Sequence, residues 1–139
     1  TGKVECWGSN HYGQIGDGTE TVRSAPVANG VVGATQIEMT NSHACALTSA
    51  DEVYCWGRNT YGQLGDGTTT SSSTTNAPVK VTEVAEQYSI ASISVSYPGS
   101  TYVTTNDGAL LAFGRNDHGQ LGDNTTTDST IAIFAFGHE

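Results

Sequence analysis

A thirteen-residue pattern occurs three times in this chain, and it narrows the possible folds more than any other feature. The first copy reads Trp7-Gly8-Ser9-Asn10-His11-Tyr12-Gly13-Gln14-Ile15-Gly16-Asp17-Gly18-Thr19. The second is Trp56-Gly57-Arg58-Asn59-Thr60-Tyr61-Gly62-Gln63-Leu64-Gly65-Asp66-Gly67-Thr68. The third is Phe113-Gly114-Arg115-Asn116-Asp117-His118-Gly119-Gln120-Leu121-Gly122-Asp123-Asn124-Thr125. The copies align without gaps and start 49 and 57 residues apart. A unit repeated at that spacing buries its apolar face against its neighbours, so the chain is read as an array of stacked units.

The units are made of strands. His43 to Leu47 and Val53 to Trp56 are short β-type runs around a turn at residues 48–52, which predicts a hairpin. Thr101 to Thr104 and Leu110 to Phe113 repeat it around Asn106-Asp107-Gly108. With Gly at 17, Lys plus Arg at 5 and Met at 1, helix formers are too sparse for long helices, so almost no helix is expected. Ala25-Pro26-Val27 and Ala77-Pro78-Val79 recur behind the first two copies, and the Ser/Thr tract at residues 69–76 reads as an exposed loop tip. The expected architecture is all-β: propeller blades of four antiparallel strands in one domain, residues 1–139. Its units run 1–49, 50–106 and, in part, 107–139, about two and two-thirds repeats.

The Trp-Gly-x-Asn-x-x-Gly-Gln-Leu-Gly-Asp-Gly-Thr signature, with His43-Ala44-Cys45-Ala46-Leu47 before it and Ala-Pro-Val after it, resembles the regulator of chromosome condensation repeat family. The resemblance covers essentially the whole chain and implies a propeller, usually of seven blades. The third copy departs from the pattern: Phe113 replaces Trp, Asn124 replaces Gly, and no Pro follows. Family precedents include an exchange factor for a chromatin-bound GTPase, a secreted bacterial inhibitor of β-lactamases and a plant ultraviolet-B photoreceptor. The secreted bacterial type fits this chain best. Two Trp in equivalent columns do not make the photoreceptor's tryptophan cluster.

The motif residues read as structural. Gly13, Gly16, Gly62, Gly65, Gly119 and Gly122 allow tight turns, and no helix or Lys stands behind them to make a phosphate loop. Asp17, Asp66 and Asp123 each precede Gly or Asn and then Thr, which suits an Asx-turn better than a calcium site. His11, His43, His118 and His138 have no metal-ligand spacing, and His43 reads as a buried strand residue. Trp7, Trp56 and Phe113 recur once per unit, as core aromatics between blades would. No catalytic, cofactor or metal residue is expected, and no cofactor.

Cys45 and Cys55 lie symmetrically about the hairpin turn, and the third unit has Tyr102 and Ala112 there, so both cysteines are lost together. A cross-strand disulfide and an oxidising compartment follow; two buried thiols are the alternative. Cys6 is the counterpart of Cys55, with no partner ahead of it. The chain is therefore expected to begin inside one blade and end inside another. Asn124-Thr125-Thr126 is an N-glycosylation acceptor triplet.

The formal charge is −9, and Lys3, Arg23, Arg58, Lys80 and Arg115 are scattered singly, which disfavours nucleic acid as a partner. No apolar run approaches the ~20 residues of a membrane span. The expectation is a non-enzymatic extracellular or cell-surface scaffold. Its partners are proteins, through head-to-tail association of copies or as the remainder of a longer chain. The alternative is a fragment of a larger propeller that regulates an enzyme, of the exchange-factor or β-lactamase-inhibitor type.

Overall fold

A computed structural model describes residues 2–70, 77–82, 84 and 87–135. Residues 71–76 of the Ser/Thr tract, and His138, lie outside the described residues. Ten strands follow in order: β1 Glu5–Gly8, β2 Arg23–Ala28, β3 Ala34–Met39, β4 His43–Thr48, β5 Val53–Gly57, β6 Val79–Lys80, β7 Ile90–Ser96, β8 Ser100–Thr105, β9 Leu110–Gly114 and β10 Ser129–Phe134. No helix occurs among the described residues.

The strands form three antiparallel sheets. β1 pairs with β2, β3-β4-β5-β6 form the second sheet, and β7-β8-β9-β10 form the third in the same up-and-down order. This is β-propeller architecture. The two predicted hairpins are the centres of the four-stranded sheets: Cys45 faces Cys55, and Tyr102 faces Ala112. Their turns are built alike. Thr48 N donates to Glu52 O at 2.9 Å and Thr105 N to Ala109 O at 3.0 Å. Asp51, at φ 59°, takes the left-handed place that Gly108 fills in the next unit, a conformation Asp tolerates better than most residues.

Burial explains the strand compositions. Every residue of β4 is buried, because this strand has a sheet on either side, and its sequence has no polar alternation. β3, at the edge of its sheet, alternates half-buried and exposed positions. One face of the second sheet meets the third sheet through Cys45, Leu47, Val53, Cys55, Leu64, Ile93, Val103, Leu111 and Phe113. Its other face meets the first through Ala44, Ala46 and Trp56, packed with Val4, Ile15 and Val31. The Gln36 side chain ties the sheets by backbone mimicry: its amide donates to Ile93 O at 2.8 Å and its carbonyl accepts from Ile93 N at 3.0 Å.

Candidate functional site

The three signature loops have one internal geometry. In the first, Asn10 Nδ2 donates to Thr19 O at 2.9 Å and Thr21 O at 3.0 Å, while Asn10 Oδ1 accepts from Ile15 N at 3.0 Å. Asn59 repeats this with Thr68 O, Thr70 O and Leu64 N, and Asn116 with Thr125 O, Thr127 O and Leu121 N. All three asparagines are fully buried. A buried amide that bonds through both ends fixes the loop at its centre. Sequence reasoning gave these asparagines no role; their unchanged column was the available signal.

Asp17, Asp66 and Asp123 each accept from the backbone N–H and hydroxyl of the Thr two residues on, at 3.0–3.1 and 2.8 Å. This is Asx-turn geometry. Burial pushes the Asp17 carboxyl up, but bonds from Thr19 and Arg23 outweigh it and hold it below the ordinary range. Among the described residues, no group of three acids, histidines or cysteines could hold a metal ion. His11 and His118 are exposed. Asn124, exposed at φ 64°, stands in the column where Gly18 and Gly67 have φ 82°. Asn tolerates that backbone, so the loop survives the replacement.

The six turn glycines have φ between 65° and 79°. At Gly16, Gly62 and Gly65 the reason is close packing as well as conformation. A Cβ on Gly16 would lie 2.9 Å from Trp56 Cδ1, and one on Gly65 would lie 2.7 Å from Phe113 Cε2. Thus the aromatic of each unit lies against the signature loop of the unit before it. Trp56 Nε1 also donates to Gln14 O at 2.8 Å. Phe113 has no such donor, and the equivalent carbonyl, Gln63 O, accepts instead from Thr101 Oγ1 at 2.9 Å.

Trp7 departs from the expectation of a core aromatic. It is 61% exposed, whereas Trp56 and Phe113 are fully buried. The first two signature loops receive Trp56 and Phe113, and neither lies against Trp7. Trp7 instead lines a hollow of about 210 Å³ with Glu5, Cys6, Ile37 and Met39. At the other end, the third loop presents an open hollow of about 570 Å³ lined by Gly119, Gly122, Asn124, Thr125 and Thr126. A Cβ on Gly122 would meet only Ala135 Cβ, at 3.6 Å. Among the described residues, the first unit thus presents an exposed aromatic and the third an exposed glycine loop.

Cys45 and Cys55 are joined in a disulfide inside the core between the second and third sheets. Cys6 is a buried free thiol, and burial pushes its pKa up.

Residues 34–63 and 50–101 match models of the regulator of chromosome condensation (RCC1) repeat. Among solved structures, human WBSCR16 is 23% identical with a TM-score of 0.77, covering 96% of this chain and 34% of that one. Yeast RCC1 (Prp20), solved bound to Kap60, is 20% identical with a TM-score of 0.75, covering 99% and 34%. Prp20p from Saccharomyces cerevisiae, described with its binding properties to Gsp1p and histones, is 20% identical with a TM-score of 0.76, covering 99% and 35%. These likenesses show the fold. The chain spans about a third of the length of the structures it matches.

Proposed function

We propose that this chain, which belongs to the regulator of chromosome condensation repeat family, is a non-enzymatic scaffold for protein–protein contact whose two ends associate head to tail. The observation that carries the reading is the exposed Trp7, set against the buried Trp56–Gly16 and Phe113–Gly65 contacts. Two internal junctions define what covers such an aromatic: a glycine loop with a carbonyl at hand. The third loop offers that surface, so a second copy fits the Trp7 end by the same chemistry. The contact is heterologous and builds a ring if its rotation closes and a filament if it does not.

An extracellular or cell-surface setting is part of the proposal, supported by the Cys45–Cys55 disulfide and the rule that such bonds persist where conditions are oxidising. The charge of −9 argues against direct nucleic-acid binding. Against catalysis, the buried asparagines and the turn aspartates are already committed to holding the loops.

Sedimentation velocity over a concentration series tests the association. The wild-type chain is expected to gain mass with concentration. Trp7→Ser and Gly122→Ile are expected to stay monomeric alone and to stop at a dimer when mixed, because each keeps one working end. A folded wild-type monomer at every concentration sinks head-to-tail association. The second reading, favoured by the one-third coverage of the matched structures, is then left: a segment of a larger propeller that regulates an enzyme, of exchange-factor or secreted β-lactamase-inhibitor type.

A further inference from the structure

The signature loops carry a row of side chains that the fold does not consume. The Arg58 guanidinium carbon lies 5.3 Å from the ring centre of Tyr12 and 5.6 Å from that of Tyr61, and the Arg115 carbon lies 5.1 Å from Tyr61. Tyrosine and arginine therefore alternate from the first loop to the third. A ring face attracts a guanidinium, and contact with two rings restrains it while leaving its terminal N–H groups able to bond.

The third loop shows what such a group takes. Asp117, two residues after Arg115, pairs with it, and the other Asp117 oxygen lies 2.9 Å from His118 Nδ1. Bonds from Gln120, Arg115 and His118 hold that carboxyl far below the ordinary range. In the second loop the same column is Thr60, whose hydroxyl accepts from Arg58 Nε at 3.0 Å. Among the described residues no carboxylate pairs with Arg58, although Arg23, Lys80 and Arg115 each have one. The chain has 14 acids for 5 bases, so this gap is not for want of carboxylates.

We propose that Arg58, lying over the rings of Tyr12 and Tyr61, is a docking point for a carboxylate on a segment of a partner protein. The segment supplies from outside what Asp117 supplies within the third loop. Arg58 gives the two-pronged contact, and the tyrosine rings flank the incoming chain. The site rests on the interaction-scaffold reading but not on head-to-tail association.

A blocked hexaglutamate peptide is the probe, titrated at physiological salt, where screening lessens repulsion from the chain's −9 charge, while the Arg58 and Arg115 Nε–Hε signals are followed by NMR. A saturable shift of Arg58, with Arg115 unmoved, is expected. Arg58→Lys keeps the charge but loses the fork, and Thr60→Asp installs the third loop's internal carboxylate. Each is expected to weaken peptide binding by about fivefold, the upper range for an exposed pair, with circular dichroism unchanged. Equal affinity in wild type and Thr60→Asp overturns the proposal, as does no shift of Arg58 or an equal shift of both arginines. A hexalysine peptide, drawn to the chain's acidic surface as a whole, is expected to leave the Arg58 signal unmoved. Inorganic phosphate binding as tightly as the peptide overturns the assignment to carboxylate. Loss of association in the sedimentation test leaves this result standing, so the two failures are distinguishable.

Discussion

His43 Nε2 lies 3.2 Å from Thr101 Oγ1, across the boundary between the second and third sheets, and both side chains are buried. Thr101 has one hydroxyl proton and donates it to Gln63 O, so His43 must donate from Nε2. Its Nδ1 faces the Thr40 hydroxyl at 3.1 Å. The pair is thus a polar relay joining two strands and a loop.

Burial pushes the His43 pKa down from 6.5 to about 4. The unfolded chain then binds a proton between those values while the folded chain does not. Stability should be intact above pH 6.5 and fall as pH drops toward 4, by about 3 kcal/mol in all. Urea unfolding at pH 7.5 and pH 4.5 measures the loss. His43→Gln should remove most of that slope; an unchanged slope in the variant means other groups carry it.

The loop carbonyl receives a donor by two routes, and the routes should be exchangeable. Ala44 faces Trp56 across the second hairpin, and Thr101 faces Phe113 across the third. Thr101→Ala leaves Gln63 O and His43 Nε2 unpaired and should cost about 1–3 kcal/mol. Adding Phe113→Trp recreates the Ala–Trp pair and should recover part of that loss. A double-mutant cycle reads the coupling, and strict additivity denies the compensation.

Glycines in the same loop should differ in tolerance. Gly65→Ala pushes a methyl into Phe113 and should cost about 3 kcal/mol through overpacking and left-handed strain. Gly67 also has a left-handed φ, but its Cβ would meet only Ile131, at 4.0 Å. Gly67→Ala should therefore cost about 1 kcal/mol, and Gly67→Asn less, since Asn124 already occupies that column. Thermal melts rank the three; equal losses remove the packing argument.

The disulfide bridges residues ten apart in sequence, and a loop that short predicts about 2–3 kcal/mol of stabilisation by the chain-entropy account. A thiol titration in denaturant without reductant should find one reactive thiol, Cys6, and three after reduction. Three thiols before reduction remove the bridge and, with it, the main support for an oxidising setting.

The repeat spacing and turn chemistry made the hairpins legible in the sequence, because both are local. The paired loss of two cysteines in the third unit pointed to their contact for the same reason: hairpin partners are fixed by the turn between them. Trp7 breaks its column because a column tells what a residue contacts only through the unit packed beside it. The Tyr12–Arg58–Tyr61–Arg115 alternation was out of reach, since it depends on which units lie side by side. The asparagine column was visible but mute, as a buried amide and an exposed turn residue are written with the same letter.

Those asparagines offer the sharpest test of how the loops are held. Asn59→Asp keeps the shape and keeps the acceptor for Leu64 N. It replaces the Nδ2 donor with an oxygen facing Thr68 O, Thr70 O and, at 3.3 Å, Asp66 Oδ1. A buried carboxylate among acceptors is raised in pKa, so the folded variant holds its proton to higher pH than the unfolded one. Its deficit should therefore grow as pH rises above about 4, the ordinary carboxylate range, whereas that of Asn59→Ala should not follow this trend. At pH 7 the Asp variant should be at least about 3 kcal/mol less stable than the wild type, because an unpaired buried charge is among the costliest single changes. Urea unfolding of both variants at pH 4 and pH 7 supplies the comparison. Parallel pH profiles for Asp and Ala would mean that the amide only fills space, and that the loop is held by its glycines alone.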